Sequence, residues 1–197
     1  LICPQFCVRF NDLDNIGITG RHYSGFVMLG IQAFNNKQTP MKDGKEFWMD
    51  ECVSANYKWL TEELQIPAEE ITFIEDVWAG GGNLGPSIEY FVRGLEVGNM
   101  VFMQFKTFPD GHREELDVRV IDVGIGLERI PWLINGSATS YLDVFPKAYQ
   151  WLAERTEVTP DYAVWEKFGP LSCLLNADEV DDLGKTWSWI AEQINMP

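Results

Sequence analysis

The residues best suited to hold a charged ligand stand in one run, Val120-Ile121-Asp122-Val123-Gly124-Ile125-Gly126-Leu127-Glu128-Arg129. A β-branched segment closes on an acid, two glycines free the backbone for a tight turn, and an arginine enters the first turns of an expected helix. A carboxylate, bare backbone and a guanidinium could then converge on one charged ligand. Residues of the same kind accompany it. Arg9 stands ahead of a loop carrying Asp12 and Asp14, Arg21-His22 follow that loop, and Trp78 precedes Gly80-Gly81-Gly82.

Most of these residues also have an ordinary structural use. A strand arginine such as Arg9 can face outward or lie at an edge, or it can offer a planar fork to phosphate or carboxylate. Arg129 can be solvated or can pair with Glu128 or Asp122. Asp12 and Asp14 suit a turn, and Trp78, Met28 and Val101 suit a core. Asp122 is different, because an acid closing a buried strand is costly unless a cation or donors meet it. The three glycines are not a Walker loop, since neither Lys-Ser nor Lys-Thr follows. Gly124-Ile125-Gly126 lacks the third glycine of a dinucleotide fingerprint. His22 and His112, the two histidines, have no nucleophile-triad context.

At 197 residues, 46% hydrophobic with eight Trp and twelve Phe, the chain can bury a full core with a helical extension. Its formal charge of −15 argues against a general nucleic-acid-binding surface, so an RNA partner would need local positive sites or surface elsewhere. No apolar run approaches the ~20 residues of a membrane helix, and no signal peptide is visible. The chain begins at Leu1 within an expected strand and reads as a piece of a longer protein. Cys3, Cys7, Cys52 and Cys173 do not make a zinc pattern and read as buried, reduced thiols, which favours a cytoplasmic setting.

The expected elements are a strand over 5–10, a long polar loop over 11–20 and an apolar segment over 22–34, forming a strand–loop–strand hairpin. A helix follows over 46–64, where Phe47, Cys52, Val53, Tyr57, Leu60 and Leu64 fall at helical spacing. Strands are expected over 71–78, 88–92, 97–108 and 116–121, then a helix from Leu127. From Tyr141 onward the pattern is mostly helical. The fold class is therefore α+β, an antiparallel sheet flanked by helices and followed by the start of a helical domain.

Four ordered motifs resemble those of alanyl-tRNA synthetases. Cys7-Val8-Arg9-Phe10-Asn11-Asp12-Leu13-Asp14-Asn15-Ile16-Gly17, with Thr19-Gly20-Arg21-His22, Phe26 and Met28-Leu29-Gly30, is similar to their second signature motif. Asn99-Met100-Val101-Phe102-Met103-Gln104-Phe105 resembles their alanine-pocket strand, and Asp122-Val123-Gly124-Ile125-Gly126-Leu127-Glu128-Arg129 their third motif. Glu75-Asp76-Val77-Trp78-Ala79-Gly80-Gly81-Gly82-Asn83-Leu84-Gly85-Pro86 looks like the archaeal branch. The resemblance implies a class II synthetase core, with residues 1–147 a partial catalytic domain lacking the first motif. Residues 148–197 would begin a helical tRNA-recognition domain.

It also implies roles. Arg9 would hold the α-phosphate and Arg129 the γ-phosphate of ATP, Met28 would pack on adenine, and Asp14, Arg21 and His22 would help position the nucleotide or acceptor end. Asp122 would pair with the alanine ammonium, Trp78 and Val101 would wall the methyl pocket, Asn99 would hold the substrate, and Gly124 would keep the pocket open. ATP and Mg²⁺, alanine and tRNA(Ala) are the implied ligands, without a membrane and with a homodimer of the full-length protein as one option. A pocket built for one methyl group rejects an added hydroxyl poorly; the family answers with a zinc-dependent editing domain, for which this sequence shows no ligand cluster. Two other readings stay open: a non-catalytic synthetase-like binding module, and an adenylate-forming paralogue with a non-tRNA acceptor.

Overall fold

The computed structural model describes residues 1–16, 21–36, 47–137 and 140–156. Six strands form one sheet: β1 (Ile2–Val8), β2 (Gly25–Asn36), β3 (Ile71–Gly80), β4 (Asn83–Val92), β5 (Leu95–Thr107) and β6 (Arg113–Gly126), in the order β1-β2-β6-β5-β4-β3. The pairs β2/β6, β6/β5, β5/β4 and β4/β3 are all antiparallel. The helices are α1 (Met49–Lys58), continued by a π-helical turn over Trp59–Glu63, then α2 (Arg129–Asn135), α3 (Ser140–Val144) and α4 (Pro146–Thr156). The chain divides into two compact units: Leu1–Gln5 with Met28–Gly126, and Phe6–Val27 with Leu127–Pro197.

Strand alternation sorts the first unit's side chains onto two faces. Ile121, Val123 and Ile125 of β6 stand beside Phe102, Met100 and Gly98 of β5 and Ala33, Ile31 and Leu29 of β2. Ile121, Val123, Ile125, Met100 and Phe102 are buried, as are Cys52 and Leu60 from the helical segment. α1 lies on this face: Trp48, just before it, meets Phe102 edge-on at 5.6 Å between ring centroids. Helix and sheet enclose an apolar cavity of about 280 Å³ lined by Ile31, Phe47, Cys52, Trp59, Ile121 and Ile125 among others. Glu51 Oε2 accepts from the Trp48 backbone N–H at 3.1 Å, tying down the first turn of α1.

Two hairpins rest on two-residue turns with positive φ at both positions: Gly81 (57°) and Gly82 (79°), then Arg93 (51°) and Gly94 (79°). Such turns match the strand twist. The glycine run after Trp78 is therefore a hairpin. Arg93 holds its left-handed conformation with its side chain anchored to Glu70 at 2.7 Å.

Several expectations need correction. β6 does not close at Asp122 but continues to Gly126, with Gly124 and Gly126 paired to Gly30 and Met28. Asp122 thus stands inside a strand, and the two glycines extend it instead of turning it. Gly124 is paired on both sides and Gly126 with β2, and this pairing outweighs glycine's weak strand preference. β1 spans Ile2–Val8, so Arg9 follows the strand and donates its backbone N–H to Ser24 O at 2.9 Å. Cys52 is buried as expected, but Cys3 is exposed and Cys7 intermediate, because β1 is an edge strand. Cys173 and residues 157–197, including most of the expected helical domain, lie outside the described residues.

Candidate active site

In the first unit the sheet face opposite α1 carries Asp122, Gln32 and Asn99. Asp122 on β6 stands directly between Gln32 on β2 and Val101 on β5. One register step on, Gly124 stands between Gly30 and Asn99. Gln32 Nε2 donates to Asp122 Oδ1 at 2.9 Å. A Cβ at Gly124 would lie 3.0 Å from Asn99 Oδ1 and 3.1 Å from Met28 Sδ. The amide of Asn99, the thioether of Met28 and the bare backbone of Gly124 therefore meet beside Asp122. Asp122 is half-buried while Val101 is 5% exposed. A carboxylate and an apolar residue thus stand side by side on neighbouring strands.

The same face continues onto β4 and β3. Ser87 pairs with Val101 and Glu89 with Asn99; on β3, Asp76 pairs with Ser87 and Trp78 with Gly85. Burial raises the Glu89 carboxyl above its ordinary range, helped by the charges of Glu96 and Asp76. β4 can reach this close to β5 only because Gly85 has no side chain, since a Cβ there would fall on the Phe102 carbonyl oxygen. The Trp78 ring lies over Gly80, where a Cβ would stand 2.7 Å from it.

The second unit gathers cations. His22 is half-buried and its pKa is lowered, first by burial and then by the Arg21 and Arg129 guanidiniums; Asp12 opposes this and Arg9 adds to it. Three arginine charges thus act on one half-buried imidazole, and such a grouping of cations suits a polyanion. Arg9 lies over the Phe26 ring at 5.3 Å, which restrains the guanidinium on a rigid platform.

The segment after the loop is fixed from α3. The Tyr23 hydroxyl donates to Ser140 Oγ at 2.6 Å, and the Tyr23 ring stands 5.3 Å from Tyr141 and 6.1 Å from Phe145. Glu128 Oε1 accepts from the Val27 backbone N–H at 2.7 Å, and Leu127 N–H donates to Val27 O at 3.0 Å. These bonds set where α2, and Arg129 at its start, begins. Asp14 sits exposed in the short 3₁₀ turn Leu13–Asn15.

The structure therefore brings together Met28, Asn99, Val101, Asp122 and Gly124 in the first unit, and Arg9, Arg21, His22 and Arg129 in the second. Trp78 shares the face of Asp122 but stands two strands from Val101, with its ring directed along β3 toward Gly80. Sequence reasoning missed Gln32, Ser87 and Glu89. Their strand parity was readable, but their cross-strand neighbours depend on register and on the bulges between Leu84 and Ser87 and between Met103 and Phe105.

Comparison with known proteins finds relatives along nearly the whole chain. The Alanine–tRNA ligase of Methanocella arvoryzae is 48% identical over 193 residues, covering 98% of this chain and 22% of that protein. The Alanine–tRNA ligase of Cenarchaeum symbiosum is 47% identical over 83% of this chain and 17% of its own length. That of Pyrococcus abyssi is 34% identical over 100% of this chain and 22% of its own. The chain thus spans about a fifth of the length of such relatives. The family model for class II (A) tRNA synthetases matches residues 1–162. With a six-stranded sheet whose β2 to β6 pairings are all antiparallel, the chain belongs to the class II tRNA synthetase family (A).

Proposed function

We propose that the full-length protein carrying this chain is an alanine–tRNA ligase, which activates alanine with ATP and passes it to the 3′ end of tRNA(Ala). The observation that carries the reading is the convergence of Asp122, Val101, Asn99, Met28 and Gly124 on one small patch of a single sheet face. The Asp122 carboxylate would supply the counter-charge for an ammonium group, and the buried Val101 beside it would offer an apolar wall to a small side chain. Asp122 would pair with the α-ammonium, Val101 would bound the methyl, Trp78 would wall the same face from β3, and Asn99 would hold the substrate. Met28 would meet the adenine, and Gly124 would keep the space clear.

The cationic cluster would take the nucleotide. Arg9 would engage the α-phosphate and Arg129 the γ-phosphate, with Asp14, Arg21 and His22 positioning ATP or the acceptor end. The alanine carboxylate attacks the α-phosphorus, the bond to the bridging oxygen breaks, and pyrophosphate leaves. No general base is required, because the nucleophile is already an anion at neutral pH. The protein's contribution is to hold two anions in line and to place guanidiniums against the developing charge. A terminal ribose hydroxyl of tRNA then displaces AMP.

Mg²⁺ would accompany the nucleotide. Among the described residues no group of three or more His, Cys, Asp or Glu gathers as a metal site, so no residue is assigned to it and no step is routed through it. Residues 1–147 would be the partial catalytic domain and 148–197 the beginning of the helical tRNA-recognition region. Protein synthesis would place the enzyme in the cytoplasm, with homodimerisation a property of the whole protein. Among the described residues no helix is long and apolar enough to cross a membrane.

The test is alanine-dependent ATP–pyrophosphate exchange by the full-length protein, followed by charging of tRNA(Ala). Asp122→Asn keeps the shape and removes the counter-charge, so alanine activation should fall by at least ~2 kcal/mol, by analogy with truncating a buried charge pair. No exchange in the unsubstituted protein, or unchanged kinetics in the variant, refutes the reading. Exchange without tRNA charging points to a different acceptor.

A further inference from the structure

We propose that Gln32 is a positioning residue for the amino group of the substrate, acting through Asp122, and that Gly30 is glycine so that the Gln32 amide can do so. This rests on the alanine reading above and names how its ammonium site is oriented. Gln32 and Asp122 are direct cross-strand partners, and the amide nitrogen donates to Oδ1 at 2.9 Å. That bond fixes the plane of the carboxylate and leaves Oδ2 to receive an ammonium donor.

The chemistry of the donor matters. A lysine or arginine at position 32 would neutralise Asp122 and compete with a cationic substrate. A neutral amide orients the carboxylate without quenching its charge. Nor is the bond needed to join the strands, because β2 and β6 already pair over nine consecutive positions, from Met28/Gly126 to Asn36/Val118.

Gly30 completes the device. A Cβ on Gly30 would fall on Gln32 Nε2, and the next nearest atoms, Cys3 O and Gln32 Cδ, stand at 3.4 and 3.5 Å. The Gln32 side chain thus folds back across the bare Cα of Gly30 to reach Asp122. A methyl there would displace the flexible end of the glutamine while leaving the neighbouring backbone in place.

The experiment is steady-state ATP–pyrophosphate exchange by the full-length protein with Gln32→Met, which keeps chain length and removes the donor. The KM for alanine should rise about ten-fold or more, as expected for a lost hydrogen bond to a charged group, while the KM for ATP stays within about two-fold. Gly30→Ala should reproduce that split from an independent substitution. In an Asp122→Asn background, Gln32→Met should add less than about two-fold, because its effect runs through the missing charge. An unchanged alanine KM in both single variants overturns the inference, as do effects that simply multiply in the double variant. So does an equal rise in both KM values. Absence of exchange in the unsubstituted protein overturns the alanine reading and this inference with it, whereas normal exchange with unaffected variants overturns this inference alone.

Discussion

Gly124→Ala separates a pocket residue from a folding residue. The new methyl would lie 3.0 Å from Asn99 Oδ1, 3.1 Å from Met28 Sδ and 3.8 Å from Met28 Cγ. All three neighbours are side-chain atoms, so each can give by a few tenths of an ångström. Gly124 does not need positive φ, and losing a strand glycine recovers roughly 0.5–1 kcal/mol of backbone entropy. Stability should therefore change by less than about 1 kcal/mol. The methyl nonetheless projects from the face that carries Asp122, into the space assigned to the substrate side chain. Overpacking of that kind costs about 1–3 kcal/mol, equivalent to about 5- to 150-fold in alanine kcat/KM. Glycine, without a methyl, should lose less, so the glycine-to-alanine ratio should rise. Pyrophosphate exchange with each amino acid, beside a thermal melt, measures both quantities. An unchanged alanine kcat/KM would refute the placement of the pocket. A large fall in Tm with equal losses toward alanine and ATP would show that Gly124 serves the fold instead.

Three further outcomes follow from the structure. Gly85→Ala puts a Cβ onto the Phe102 carbonyl oxygen, with Met103 Cα 3.1 Å away; both are backbone, so the strands must part, and denaturant melts should show a loss of about 3 kcal/mol or more, with a wild-type midpoint counting against it. The Tyr90 hydroxyl is buried with no hydrogen-bond partner among the described residues, and burial drives its pKa well above 10; Tyr90→Phe should be neutral or up to about 1 kcal/mol stabilising, and a clear loss in the same melts would reveal an unrecognised partner. His22 has a folded pKa below its ordinary 6.5, so between those values the unfolded chain binds a proton that the folded chain does not, and stability falls as pH drops below about 6.5. In His22→Gln that part of the pH dependence should vanish, and an unchanged slope of unfolding free energy between pH 7.5 and 5.5 would contradict the burial of a neutral imidazole.

Much of the sheet was legible because its strands are punctuated by chemistry that sequence displays. Glycines at 80–82 and 94 marked the ends of strands that the structure joins through two-residue turns, whereas the strand expected over 116–121 runs on to Gly126. Asp122 stood out in the sequence, yet in the wrong local setting. Two glycines after an acid look like a turn, and pairing with β2, joined at Gly124 by β5, keeps them extended. Gln32 was invisible for a related reason. Nothing local distinguishes a glutamine that crosses to a neighbouring strand from one that faces water, because the register is set by distant turns and bulges. The polar segments 17–20 and 37–46 and the terminal region from 157 lie outside the described residues, and the helical pattern expected there has no structural counterpart to compare.

The charge arrangement narrows what the two units can serve. The first holds a carboxylate on an open sheet face, and the hydrogen bond at Asp122 comes from a neutral amide. The second concentrates Arg9, Arg21 and Arg129 around a histidine that burial and those same arginines keep uncharged. Had Asp122 been matched to an arginine, its negative charge would be spent within the protein. Had His22 been protonated, the cluster would carry a fourth positive charge at a cost in folding free energy. Taken separately, the first unit suits a small ammonium-bearing molecule and the second a polyanion, which is the division of labour proposed above.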